Sequence, residues 1–378
     1  MRAPQDAVVA SGIRWTIGAC LLATAMACTS PPPAASEDRA GMLPAGPAST
    51  FFKSSPLGDP IRGDERPRMA YVGIADLDRD GLPDVLACDA LRDRVSWIRQ
   101  SPKGTFIETT IADIHAPAHV EAIDLDGDGD LDLAVAGFGY DDGETSWLEN
   151  KGGWTFEAHV LLRLSGPINA IVADVNNDKK PDIVALVSQE WEEIWTFLND
   201  GRGHFTNTMA WGSTNPDFGS SWITMVDLDR DGDLDVLYSN GDAFDYAPAN
   251  SRPWQGVQWL ENVNGQKWVF HRIADFPGAS SPQAVDADGD GDLDVVVVSA
   301  NNDWNDPASP SLVWLENNGR MQFTLHAIAS SPTHVITLAA GDLDGDGKPD
   351  LVGGGMHINR PYDRMGRITL WHNGRDGR

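Results

Sequence analysis

The chain has 378 residues, with 28 Lys and Arg against 56 Asp and Glu, a formal charge of −28. So acidic a protein lacks the basic face that nucleic acid or an anionic membrane surface requires. A hydrophobic content of 41% with 14 Trp excludes disorder, and three cysteines, two of them (Cys20 and Cys28) near the N-terminus, exclude a disulfide framework.

The first element in the chain is an export signal. Residues 13–27 read IRWTIGACLLATAMA, with Arg14 ahead of a short apolar run that ends before Cys28. The run is too short to span a bilayer, and residues 1–27 read as a signal peptide. The small residues before Cys28 resemble a lipobox, in which Cys28 is lipidated and becomes the mature N-terminus. Ala25-Met26-Ala27 also reads as a plain cleavage site. Thr29, where Asp would retain a lipoprotein at the inner membrane, implies outer-membrane sorting with a lipid anchor as the only membrane contact; the leaflet stays open. Residues 28–48 are rich in Pro and Ala and make a tether. The folded body covers 49–378.

That body is one unit repeated six times. DLDRDGLPD begins at Asp76, DLDGDGDLD at Asp124, DVNNDKKPD at Asp174, DLDRDGDLD at Asp227, DADGDGDLD at Asp286 and DLDGDGKPD at Asp342. A short apolar or alternating run precedes each copy, as in 71–75 and 222–226. A β-branched run follows, as in 295–298, then a Trp segment (WIRQ at Trp97; WLEN at Trp147, Trp259 and Trp314) and a turn such as Asn318-Gly319. Four short strands in about 50 residues, with no helical period, predict a propeller blade. The last repeat, ending at Asn373, has three strands, and the segment after Ser49 resembles the missing fourth. The chain is therefore expected to be all-β: a six-bladed β-propeller of four-stranded blades, with an N-terminal strand closing the last blade and removing the sheet edges.

Each loop sets oxygen ligands at positions 1, 3, 5 and 9. They are Asp76, Asp78, Asp80 and Asp84; Asp124, Asp126, Asp128 and Asp132; Asp174, Asn176, Asp178 and Asp182; Asp227, Asp229, Asp231 and Asp235; Asp286, Asp288, Asp290 and Asp294; Asp342, Asp344, Asp346 and Asp350. Alternating carboxylates in a tight turn suit Ca2+, which takes six to eight oxygens in flexible geometry, better than Mg2+. Gly at position 6 permits a positive φ. Up to six Ca2+ are expected. The Asp174 loop should be weakest, because Asn176 and Lys179 replace Asp and Gly. The alternative is an Asp-rich turn whose carboxylates only cap backbone amides.

These repeats resemble the FG-GAP/VCBS family of integrin-α-like propellers over about residues 50–373, although the Phe-Gly and Gly-Ala-Pro elements are eroded. The resemblance implies calcium-stabilised blades. It implies no single activity, since the family includes adhesion receptors, lectins and some polysaccharide lyases.

Strand alternation puts the acidic loops on one face and long irregular connections on the other. Aromatics beside carboxylates there, including Trp304 and Tyr362, suit a glycan or a protein ligand. Inner-strand entrances add Tyr71, His119, Glu121, Trp222 and His334, which either bind ligand or line a wet channel. His119 with Glu121 suits a metal or acid–base work. No nucleophile motif or phosphate loop is present. The expectation is a non-enzymatic binding protein for an extracellular glycan or protein. The alternative is a polysaccharide lyase, which would group His119, His334 or His357 with Tyr71, Tyr362 or Arg360 in one cleft.

Overall fold

The computed structural model describes residues 52–374, except 79, 114–116, 140–142, 153–154, 189–190, 216, 245–251 and 264–266. The expected signal peptide, tether and Cys28 lie outside the described residues. The described chain forms 24 strands and no helix, in six antiparallel sheets of four.

Blade one shows the pattern: β2 (Met69–Ala75), β3 (Asp84–Asp89), β4 (Arg94–Gln100) and β5 (Phe106–Ala112), hydrogen-bonded in that order. Blades two to five span 117–163, 167–212, 222–275 and 279–329. Second strands such as DVLACD, DIVALV and DVVVVS are buried along their whole length. They are continuous β-branched runs because neighbouring blades cover both faces of the sheet. Fourth strands such as FTNTMAWG face outward and alternate weakly. Apolar clusters fill the spaces between blades; Leu125, Ala170, Ile183 and Phe197 join blades two and three. Each fully buried aliphatic or aromatic side chain contributes roughly 1.5–3 kcal/mol. Trp147, Trp259 and Trp314 are buried as well, and Trp147 packs against Phe205 of the next blade at 5.9 Å between ring centroids.

Blade six contains β22 (Val335–Gly341), β23 (Asp350–Gly355) and β24 (Ile368–Asn373), and its outer strand is β1 (Phe52–Pro56). β1 pairs with β24 from Phe52↔Asn373 to Pro56↔Thr369, the closure expected from the missing fourth strand. Residues 57–68 run from β1 of blade six to β2 of blade one, and buried side chains reinforce that junction. Buried Arg367, just before β24, donates to Asp89 Oδ2 (2.9 Å) and to Glu108 Oε1 (2.7 Å) and Oε2 (2.8 Å) of blade one. Arg94 adds a bond to Glu108 Oε1 at 2.6 Å. Burial alone would raise the Glu108 carboxyl, but the Arg367 hydrogen bonds and charge hold it at about 2.

A bulge interrupts the innermost strand of five blades, between Met69 and Tyr71, Pro117 and His119, Pro167 and Asn169, Ser280 and Gln283, and Val335 and Thr337. In each case the residue after the bulge is polar, and Tyr71, His119 and Gln283 line the channel cavity. An extra residue re-aims the side chain that follows it.

Candidate functional site: acidic loops and central channel

Each acidic loop begins where an innermost strand ends. The backbone turns through left-handed φ at position 6 (Gly81 +86°, Gly129 +99°, Gly232 +100°, Gly291 +100°, Gly347 +87°), as expected, and also at position 4 in the five described loops, including Asn177 +59° and Arg230 +64°. Lys179 keeps the same turn at +68°. Position 1 accepts the position 6 amide, as Asp124 Oδ2 does from Gly129 at 3.0 Å. Position 5 accepts the position 7 amide, as Asp128 Oδ1 does from Asp130 at 2.9 Å.

Position 9 is buried in all six copies. Its two oxygens tie the loop to the sheet. Asp132 Oδ2 takes the Leu125 amide at 3.0 Å, and Oδ1 takes the Asn150 amide of the third strand at 2.7 Å. Asp84, Asp182, Asp235, Asp294 and Asp350 repeat both bonds. The loop is thus shaped by amide capping, and its carboxylates converge at the same time. Ligand oxygens of Asp76, Asp78 and Asp84, of Asp124, Asp126 and Asp132, and of Asp227, Asp229 and Asp235 lie within 4.8 Å of one another. Asp227 Oδ1 is buried without a hydrogen-bond partner, and so is Asp78 Oδ1, although the other oxygen of Asp78 meets Arg99. A buried, unpaired anionic oxygen inside a three-carboxylate group is the donor set a hard divalent cation fits.

The six loops fall into two sets. In blades one, three and six a protein cation reaches the carboxylates. Arg99 lies 2.5 Å from Asp78 and 3.5 Å from Asp80; Lys180 and Lys348 lie 3.1 Å from Asp178 and Asp346. His372 meets Asp350 at 2.8 Å and Asp344 at 3.3 Å. The lysines lower the Asp178 and Asp346 carboxyls. In blades two, four and five position 7 is a further acid (Asp130, Asp233, Asp292), and the third strand carries Glu149, Glu261 or Glu316 near its end. Each of these Glu is bonded to a cross-strand His: His159 (2.9 Å), His271 (2.6 Å) or His326 (2.6 Å). Each His stacks on Trp147, Trp259 or Trp314, with centroids 4.6–4.7 Å apart. Burial followed by neighbouring charge raises Asp126 and Asp229, and burial takes Asp235 and Asp294 up to about 6. The His was legible in the sequence, twelve residues after each Trp of a WLEN segment.

Tyr71, His119 and Trp222 meet inside the channel. The Tyr71 and His119 ring centroids are 4.2 Å apart, those of His119 and Trp222 5.5 Å, and Tyr71 and Trp222 stack at 6.1 Å. Channel side chains also serve the inner strand of the next blade. His119 Nδ1 accepts the Ala170 amide (3.4 Å), Glu121 Oε2 the Val172 amide (2.7 Å), Asn169 Oδ1 the Ile223 amide (3.2 Å) and Thr337 Oγ1 the Val72 amide (3.1 Å). An innermost strand is a sheet edge, and these bonds satisfy its bare N–H groups. Burial lowers His119 to about 3, raises Glu121 to about 7 and pushes the Tyr71 phenol well up.

The remaining candidates lie on the irregular face. Trp304 and His334 are buried side by side (5.4 Å), and His334 also packs on buried His357 (5.4 Å). Tyr362 is half-buried, with the Arg66 guanidinium 4.3 Å over its ring and that of Arg360 at 5.9 Å. Trp191 and Trp254 are the exposed aromatics here. Tyr140, Asp142, Glu190 and Tyr246 lie outside the described residues.

Comparison with known proteins agrees with this architecture. A structure titled as a putative oxidoreductase (glucose dehydrogenase) from Thermus thermophilus superposes with a TM-score of 0.50 at 11% identity, over 85% of this chain and 100% of that one. The Photorhabdus luminescens Tc holotoxin pore gives a TM-score of 0.42 at 15% identity; the match takes in 85% of this chain but only 14% of the toxin chain. At 11% identity the likeness to the Thermus thermophilus structure concerns the fold alone. No curated protein sequence matches the chain. The model of the FG-GAP-like repeat matches residues 76–135, 124–185, 174–238 and 286–353, more than half of the chain, and these spans take in every acidic loop. The chain therefore belongs to the FG-GAP-like repeat family.

Proposed function

We propose that this protein is an exported, calcium-loaded propeller that works as a binding module for an extracellular glycan or protein. The observation that carries the metal is the three-carboxylate group with a buried, unpaired oxygen, as at Asp227, Asp229 and Asp235. Positions 1, 3 and 9 would hold Ca2+, and the bound ion would neutralise carboxylates that otherwise repel one another. Export and the lipid anchor rest on residues 13–28 of the sequence. The ligand face is the irregular one, where Trp191 and Trp254 present exposed rings suited to stacking on sugars or an aromatic-rich partner.

A lyase reading finds less support. His334 and His357 are buried, and no Arg lines the channel around Tyr71 and His119 among the described residues. A phenol whose pKa is raised is also a poor source of the phenolate that proton abstraction needs. Thermal melting with and without EDTA tests the calcium reading, and an unchanged melting curve would sink it. A glycan array probed in calcium and in chelator tests the ligand reading. Binding of neither sugars nor candidate proteins, or the release of unsaturated sugar products, would replace the binding module with another function.

A further inference from the structure

The channel holds a cavity of about 440 Å3, within the range of small-molecule sites, roughly 300–1,000 Å3. Its walls are the innermost strands of all six blades. It runs from the rings of Tyr71, His119 and Trp222 to Leu234, the position 8 residue of the fourth acidic loop, and so extends to the acidic face. The rings form one end of the cavity, and Tyr71 and Trp222 lie within 8° of parallel.

Two polar atoms at that end are left over from holding the blades together. Glu121 spends Oε2 on the Val172 amide, while Oε1 lies 3.9 Å from His119 Nε2, beyond a hydrogen bond. No Lys or Arg lines the cavity among the described residues, so this carboxylate has no cationic partner there. His119 is fully buried, and its Nε2 has no hydrogen-bond partner. Because Nδ1 accepts the Ala170 amide, the neutral ring carries its proton on Nε2, as a free donor. An uncompensated carboxylate, aromatic faces and one donor, in a cavity that reaches an acidic loop at Leu234, match a cation with an acceptor group attached.

We propose that the channel binds a small organic cation of the alkylammonium class, its charge between Glu121 and the rings of Tyr71 and Trp222, and its hydroxyl or carbonyl on His119 Nε2. The site uses none of the acidic-loop carboxylates, and it requires neither calcium nor the irregular face to bind anything.

Choline and 3,3-dimethylbutan-1-ol, its uncharged isostere, make the test. Both are titrated by calorimetry into the full chain with calcium in excess. Choline should bind, and the isostere should bind at least about tenfold more weakly, the difference a desolvated cation–π and carboxylate site supports. Glu121→Gln should weaken choline about tenfold and leave the isostere unchanged. Equal binding of choline and isostere overturns the proposal, and so does heat from a divalent ion with none from choline. The comparison of the two ligands on the unaltered chain does not depend on whether Glu121→Gln folds.

Discussion

Blades two, four and five carry one acidic loop design; blades one, three and six carry another. The first set adds a carboxylate at position 7 and a Glu near the end of the third strand, and ties that Glu to a His stacked on Trp. The second set brings Arg99, Lys180, Lys348 or His372 onto the loop carboxylates. The backbone turn and the buried position 9 Asp are common to both. One fold thus carries the same cluster of like charges in two settings, with a protein cation on the loop carboxylates in one and further carboxylates beside them in the other. The chain that looks sixfold in sequence is threefold-plus-threefold in electrostatics.

The largest effect expected from this split is on metal removal. With calcium at about 100-fold excess over its dissociation constant, each filled site adds roughly 2.7 kcal/mol, so three strong sites add about 8 kcal/mol. Hydrogen exchange followed by mass spectrometry, in calcium and in EGTA, resolves the blades. Loops 124–132, 227–235 and 286–294 should lose protection on chelation, and loops 76–84, 174–182 and 342–350 much less. A uniform loss over all six would break the comparison, since the internal cations would then not be replacing the ion.

The junction of blades six and one, both of the self-neutralised set, supplies a calcium-independent contrast. Arg367→Met leaves Asp89 and Glu108 buried without their main cation and should cost about 3–5 kcal/mol, equally in calcium and in chelator. Its pH dependence has a definite sign. Glu108 is held at about 2, below the unfolded value of 4.5. Its contribution is therefore present above pH 4.5 and is lost as pH falls toward 2, a change of about 2–3 kcal/mol once solvent screening is allowed for. Denaturation of the wild-type protein in chelator should show that acid-side loss, and Arg367→Met should not. A variant that keeps the wild-type pH slope would place the stabilisation elsewhere.

The sequence exposed the repeat because its signal is local: nine residues, an Asp period of two and a turn glycine, followed by β-branched and Trp runs. Blade number and the closing strand followed from counting. What stayed hidden depends on partners distant in the chain. Arg367 is one arginine in a stretch with no motif, and its value comes from Asp89, 278 residues earlier. Arg99 occupies the place of Glu149 in an otherwise matching Trp segment, so the change of sign was visible while its target was not. Trp304 and His357 sit in irregular connections and His334 at an inner-strand entrance, positions that suggest a ligand surface. They are buried because those connections fold over one another at the top of blades five and six, which composition does not reveal.

The smallest effect concerns the loop that departs most from the repeat. Lys179 adopts φ +68° where five other loops have Gly. A side chain in that region costs about 1–2 kcal/mol, and glycine returns roughly 0.5–1 kcal/mol of that through the entropy of the unfolded chain. Lys179→Gly should therefore stabilise the calcium-free protein by up to about 1 kcal/mol, seen as a higher denaturation midpoint at unchanged slope. In calcium the gain should grow only if the Asp174 loop binds the ion once its turn is relaxed. Growth would move this loop toward the set of blades two, four and five. An identical gain in both conditions would show that Asn176 and Lys180, not the strained turn, keep it in the other set.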